Sequence, residues 1–142
     1  MRSVLVVLLR AAVLVALALL VGALATASAG GEGGAVIGAG LLAFLVLLAG
    51  ASVWAFLDGR RWGSVRRVAD AWVPVSVLTA LAMVIQVQLR GAGLDSAVLR
   101  SDLVTVGPFV LGLVLVPALV TGAIGAATRG VTPGTPGRPS TL

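Results

Sequence analysis

The stretch Ala35–Leu57, AVIGAGLLAFLVLLAGASVWAFL, is 23 residues long and holds no charged side chain. As a helix it would be about 34 Å long, enough to cross the roughly 30 Å hydrocarbon core of a bilayer. Its apolar residues are continuous and do not alternate, so it does not read as a barrel strand. A helix is then the way for its backbone to satisfy its own hydrogen bonds in lipid. Three further runs follow the same logic: Val4–Ala25, interrupted by Arg10; Val73–Leu89, with Gln86 and Gln88 near its end; and Leu103–Thr128, uncharged. The expected fold is an all-α integral membrane protein with four transmembrane helices, over about 4–25, 35–57, 73–89 and 103–128. Short loops join them, and residues 1–129 make one domain.

Composition points the same way. Of 142 residues, 59% are apolar and 11% charged, where a soluble domain is nearer half and a quarter. The chain has no Cys, His, Tyr or Lys, and its basic residues are all Arg. That removes disulfides, thiolate metal sites, cysteine nucleophiles and the usual general base. Five carboxylates remain, and no two are spaced as metal-assisted chemistry requires. No enzyme, cofactor or metal site is expected. The net charge of +5 is spread over sites flanking the apolar runs, so no nucleic-acid surface is expected either.

The run ends suggest helix boundaries. Asp58-Gly59 reads as the close of the second helix and Arg129-Gly130 as the close of the fourth. Asp70 reads as the cap of the third, with Pro74 in its first turn, and Thr105 as a cap for the fourth. Gly30–Gly34 reads as a short turn. From Gly130 on, Pro133, Pro136 and Pro139 among Gly, Ser and Thr give a tail, residues 130–142, expected to be disordered.

Arginine distribution sets an expected orientation. Arg60, Arg61, Arg66 and Arg67 lie between the second and third runs, Arg129 and Arg138 follow the fourth, and Arg2 precedes the first, against Arg90 and Arg100 on the other side. Both termini are therefore expected in the cytoplasm, with the protein in a bacterial cytoplasmic membrane. Arg in place of Lys, with heavy Ala, Gly and Val, fits a GC-rich bacterial genome. Trp54, Trp62 and Trp72 flank the same loop and read as an aromatic belt at one interface, beside Arg60, Arg61, Arg66 and Arg67 at the lipid headgroups. A competing reading treats the first run as a signal peptide cut after Ala27-Ser28-Ala29. Retention of the first helix is preferred.

Several polar or special residues inside the runs are candidates for a solute path: Arg10, Gln86, Gln88 and Pro117, with Asp58 at the cytoplasmic mouth. Each has a plainer reading. Arg10 lies about 10 Å of rise from Ser3 and is expected to snorkel to the headgroups, so that Arg10→Leu would be tolerated. Gln86 and Gln88 lie about 200° apart on a helix and are expected to make interhelical or interfacial hydrogen bonds. Pro117, with Pro108 upstream, removes the bond to the Leu113 carbonyl and reads as a kink. Small residues recur every fourth position, at Ala35, Ala39 and Ala43, at Ala18 and Gly22, and at Ala118, Gly122 and Ala126. Such faces let helices approach closely within the bundle, or in a homodimer.

The segment Trp54-Ala55-Phe56-Leu57-Asp58-Gly59-Arg60 closing the second run, the basic loop Arg66-Arg67 leading to Trp72, and Pro117-Ala118-Leu119 with Gly122-Ala123-Ile124-Gly125 in the fourth run together resemble the bacterial four-helix drug/metabolite transporter family. The resemblance covers the layout of nearly the whole chain but only these stretches in residues. It implies a small transporter. The small multidrug-resistance exporters, the four-helix relatives of that family, couple to protons through a carboxylate in the first helix. This chain has Arg10 there and no acid within any run, so a neutral or anionic small solute is the expected cargo. The alternative is a non-transporting membrane scaffold or accessory subunit of a membrane complex.

Overall fold

The computed structural model describes residues 2–28, 33–90 and 95–129. They form four helices: α1 (Arg2–Ser28), α2 (Gly33–Trp62), α3 (Val65–Arg90) and α4 (Ser96–Thr128). Each contains a segment long and apolar enough to cross a membrane. Large apolar side chains cover the outside of the bundle, with Val4, Leu5, Ile37 and Val104 all more than 60% exposed. A surface of this kind suits hydrocarbon and not water.

All four helices overrun their apolar runs, because charged, polar and small residues end a hydropathy segment without ending a helix. Asp58-Gly59 does not close α2, which continues to Trp62 and stops at Gly63. Gly63 adopts φ +61° and donates its N–H to the Gly59 carbonyl at 2.8 Å, a left-handed conformation that glycine adopts without penalty. Nor is Asp70 a cap: α3 begins at Val65, and Pro74 lies well inside it. The expected third span of 17 residues becomes a helix of 26, about 39 Å long. For α4 the cap is Asp95, whose side chain accepts from the backbone N–H groups of Ala97 and Val98 at 2.7 and 3.2 Å. Thr105 is a mid-helix residue donating to the Ser101 carbonyl. α4 runs unbroken through Pro108 and Pro117. Arg129 donates across the bundle end to the Arg61 carbonyl of α2 at 2.6 Å, satisfying an orphan acceptor of a neighbouring helix instead of its own. Of the expected turn Gly30–Gly34, Gly33 and Gly34 open α2 instead; residues 30–32, Ala29 of the alternative cleavage site and the tail at 130–142 lie outside the described residues.

The helices are arranged in a ring. α2 packs most extensively on α4, α4 on α3, and α1 on α2, while α1 meets α3 along a thinner seam. The α2–α4 seam is backbone against backbone. Ala51, Ala55 and Gly59 of α2 face Ala118, Gly122 and Gly125 of α4, all of them buried. Thr121 donates its hydroxyl to the Ser52 carbonyl across the seam at 2.9 Å. A Cβ at Gly59 would collide with the Gly122 carbonyl, one at Gly125 with the Phe56 carbonyl, and one at Gly122 with Val68 Cγ1 at 2.5 Å. The four-residue spacing of small side chains therefore serves packing within the chain, and Gly22 of α1 likewise faces Ala43 of α2. Between the helices, Leu14, Leu47, Val68, Trp72, Val75 and Val114 fill the core with almost no exposure.

Gly59→Ala places a methyl on another helix's backbone, which cannot yield as a flexible side chain can. The expected cost is about 1–3 kcal/mol, read as a lower thermal unfolding midpoint in detergent. Gly112→Ala, where nothing lies within 4 Å of the new methyl, is expected to be neutral or slightly stabilising.

Candidate functional site

Residues from three helices converge on Arg10. It lies in α1, two turns from the start, and is only 7% exposed. Its guanidinium grips the carboxylate of Asp58 in α2 with both ends of the fork: Nη1 to Oδ2 at 2.7 Å and Nη2 to Oδ1 at 2.9 Å. Asp58 is 5% exposed, and its Oδ2 also accepts from Trp72 Nε1 of α3 at 3.0 Å. Three indoles surround the cation, with the guanidinium carbon 5.5 Å from the Trp54 ring centroid, 5.6 Å from Trp62 and 5.9 Å from Trp72. A bidentate pair with a third donor and aromatic walls is the arrangement a buried charge requires.

Two expectations are corrected here. Arg10 does not snorkel, because a counter-ion waits inside the bundle. The tryptophans do not form an outward belt. Trp72 is wholly buried, and Trp54 and Trp62 are half-buried against Arg10. The local reason is helical spacing: Trp54, Asp58 and Trp62 recur at four-residue intervals and share one face of α2 once that helix continues past Asp58. The arginines of the loop do stay outside, with Arg60, Arg61, Arg66 and Arg67 exposed. Arg60 lies over the Phe56 ring at 5.9 Å.

The other candidates are elsewhere. Gln88 is buried and donates to Asp102 Oδ2 at 2.6 Å, joining α3 to α4. From Trp72 to Gln88 is about 24 Å of helix rise, so this pair lies at the opposite end of the bundle. Gln86 is half-buried on a different face of α3. Pro117 lines a shallow hollow with Leu48 and Phe109 on the α2–α4 side, remote from Arg10 in the fold. Of the solute-path candidates, then, the structure joins Arg10 to Asp58 and sets Gln88 and Pro117 apart from them. Between the two polar ends the core is apolar apart from Ser76, bonded to the Trp72 carbonyl, and Thr79, whose buried hydroxyl has no partner among the described residues.

One edge of the Arg10 cluster opens. A hollow of about 480 Å³ lies between α1 and the start of α3, and Arg10, Trp62, Arg67 and Asp70 line it with Val6 and Val7. Arg10 Nε is buried and has no acceptor among the described residues.

Comparison of the chain with family models, curated proteins and solved structures finds no match. The resemblance to four-helix transporters therefore rests on the quoted residues alone.

Removing one partner of the pair strands the other. Arg10→Leu and Asp58→Leu are each expected to cost about 3–5 kcal/mol, while the double variant recovers most of that loss. Thermal unfolding of the four chains in detergent checks this. Additive losses would mean that the two side chains do not act as a pair.

Proposed function

We propose that the chain is a multi-pass protein of a bacterial cytoplasmic membrane, with both termini in the cytoplasm, and that it serves as a non-transporting scaffold or accessory subunit. The observation that carries this is the closure of its polar groups on one another. Arg10 is consumed by Asp58 and the indoles, and Gln88 by Asp102. Leu14, Leu47, Val75, Val84 and Val114, each 1% exposed or less, fill the bundle between them. A solute crossing here would have to break the Arg10–Asp58 fork and part a close-packed core. The apolar exterior and the arginine-rich α2–α3 end support the membrane setting and the orientation.

Transport of a neutral or anionic small solute is the second reading. One observation favours it: the hollow beside α1 is lined by Arg10 and by the exposed Arg67, which would attract an anionic solute.

A cysteine accessibility scan separates the two, since the chain has no native Cys. Single cysteines at Arg66, Ser76 and Thr79 are treated with a membrane-impermeant thiol probe, on intact cells and on inverted vesicles. Position 66 is expected to react in inverted vesicles only, and 76 and 79 on neither side. Labelling at 76 or 79 would put a water path through the bundle and make transport the better reading. Labelling of 66 in intact cells would reverse the orientation.

A further inference from the structure

The α1–α3 side holds three hollows that share walls. The first, about 480 Å³, is the polar one containing Arg10, Trp62, Arg67 and Asp70. The second, about 560 Å³, shares Val7 with it and is lined only by apolar side chains, including Val4, Pro74 and Val77. The third, about 450 Å³, shares Leu8 and Leu78 with the second and extends to Leu19 and Ala82. From Val7 to Leu19 is about 18 Å of helix rise, close to one leaflet of a hydrocarbon core roughly 30 Å thick. A polar head followed by an apolar trough of leaflet length has the form of one amphiphile lying along the seam.

The charges in the polar hollow identify the headgroup. Arg67 is exposed and makes no ion pair among the described residues. Its planar fork matches a phosphate, whereas Arg10, which also lines the hollow, is already paired with Asp58. Asp70 stands one turn along α3 from Arg67, a spacing of about 5–6 Å between Cβ atoms, and it too has no ion partner among the described residues. A headgroup of pure negative charge would meet repulsion at Asp70. A zwitterionic one with a primary ammonium satisfies both side chains, because the ammonium brings three N–H donors to the carboxylate. A quaternary ammonium brings none.

We propose that this hollow binds phosphatidylethanolamine, with its phosphate on Arg67, its ammonium on Asp70 and one acyl chain in the α1–α3 trough. The inference rests on the membrane setting proposed above, so the test begins there. Carbonate extraction of membranes holding the full chain is expected to leave it in the pellet. The chain is then purified, stripped of lipid and exposed to an equal mixture of phosphatidylethanolamine, phosphatidylcholine and phosphatidylglycerol. Native mass spectrometry reads what it retains. Phosphatidylethanolamine is expected to be held about tenfold over either competitor, the worth of one charge-assisted hydrogen bond. Asp70→Asn is expected to abolish the preference over phosphatidylcholine, and Arg67→Ala to lower retention of all three. Both side chains are exposed, and thermal unfolding should confirm that both variants remain folded. Glycerophosphoethanolamine, which has the headgroup without chains, is expected not to compete. Equal retention of the three lipids, an unchanged preference in Asp70→Asn, or competition by the chainless headgroup would each overturn the proposal while leaving the membrane setting intact. Release by carbonate would overturn both.

Discussion

A guanidinium cannot sit in an apolar bundle alone, and the arrangement of α1, α2 and α3 answers that constraint. Asp58 neutralises Arg10 with two oxygens, Trp72 supplies a donor to the same carboxylate, and three indoles wall the cation. The desolvation cost of two buried charges is several kcal/mol per ion, so the pair adds little net stability against an apolar replacement. Its effect is selective. Only one register of α1 against α2 brings position 10 to position 58, and only one rotation of α3 brings Trp72 Nε1 to the same oxygen.

The second constraint is steric. Among the described residues α4 does not pack on α1 and takes no part in the ion pair; it is held on α2 and α3. Against α2 that means glycine and alanine backbones in direct contact, with Thr121 bonded across them. In hydrocarbon such close approach is what drives helix association, because lipid tails are as apolar as the side chains they replace. The two devices divide the work: charge fixes α1, α2 and α3 at the arginine-rich end, and packing fixes α4 along its length. The α1–α3 seam has neither along its length, and three hollows that share walls lie along it.

The four helices were legible because continuous apolar runs of this length have one structural solution. Their ends were not, since Asp, Gly and Arg interrupt hydropathy at 58–61 while the helix continues to Gly63, where the backbone itself turns left-handed. Arg10 and Asp58 were both recognisable as unusual. Their pairing was hidden by 48 intervening residues and by the short second helix, which left Asp58 in a loop. A usable signal existed in the four-residue spacing of Trp54, Asp58 and Trp62, which marks one helix face. Flanking tryptophans suggested an interfacial belt because that is their commoner use, and the sequence around them does not show which way a ring points. The Asp95 cap lies before Arg100 and Asp102, two charges that break the apolar run while the helix continues through them.

The distance along the chain between Arg10 and Asp58 also has a meaning in time. A ribosome adding 5–20 residues per second exposes α1 roughly 2–10 s before the residue that neutralises it. In a bilayer, the first helix would spend that interval with an uncompensated cation, held near the headgroups or against the insertion machinery. It would settle to its final depth only when α2, and then Trp72 of α3, arrive. On that account the clamp that joins α1 to α2 in the finished bundle would also make the first helix the one that waits.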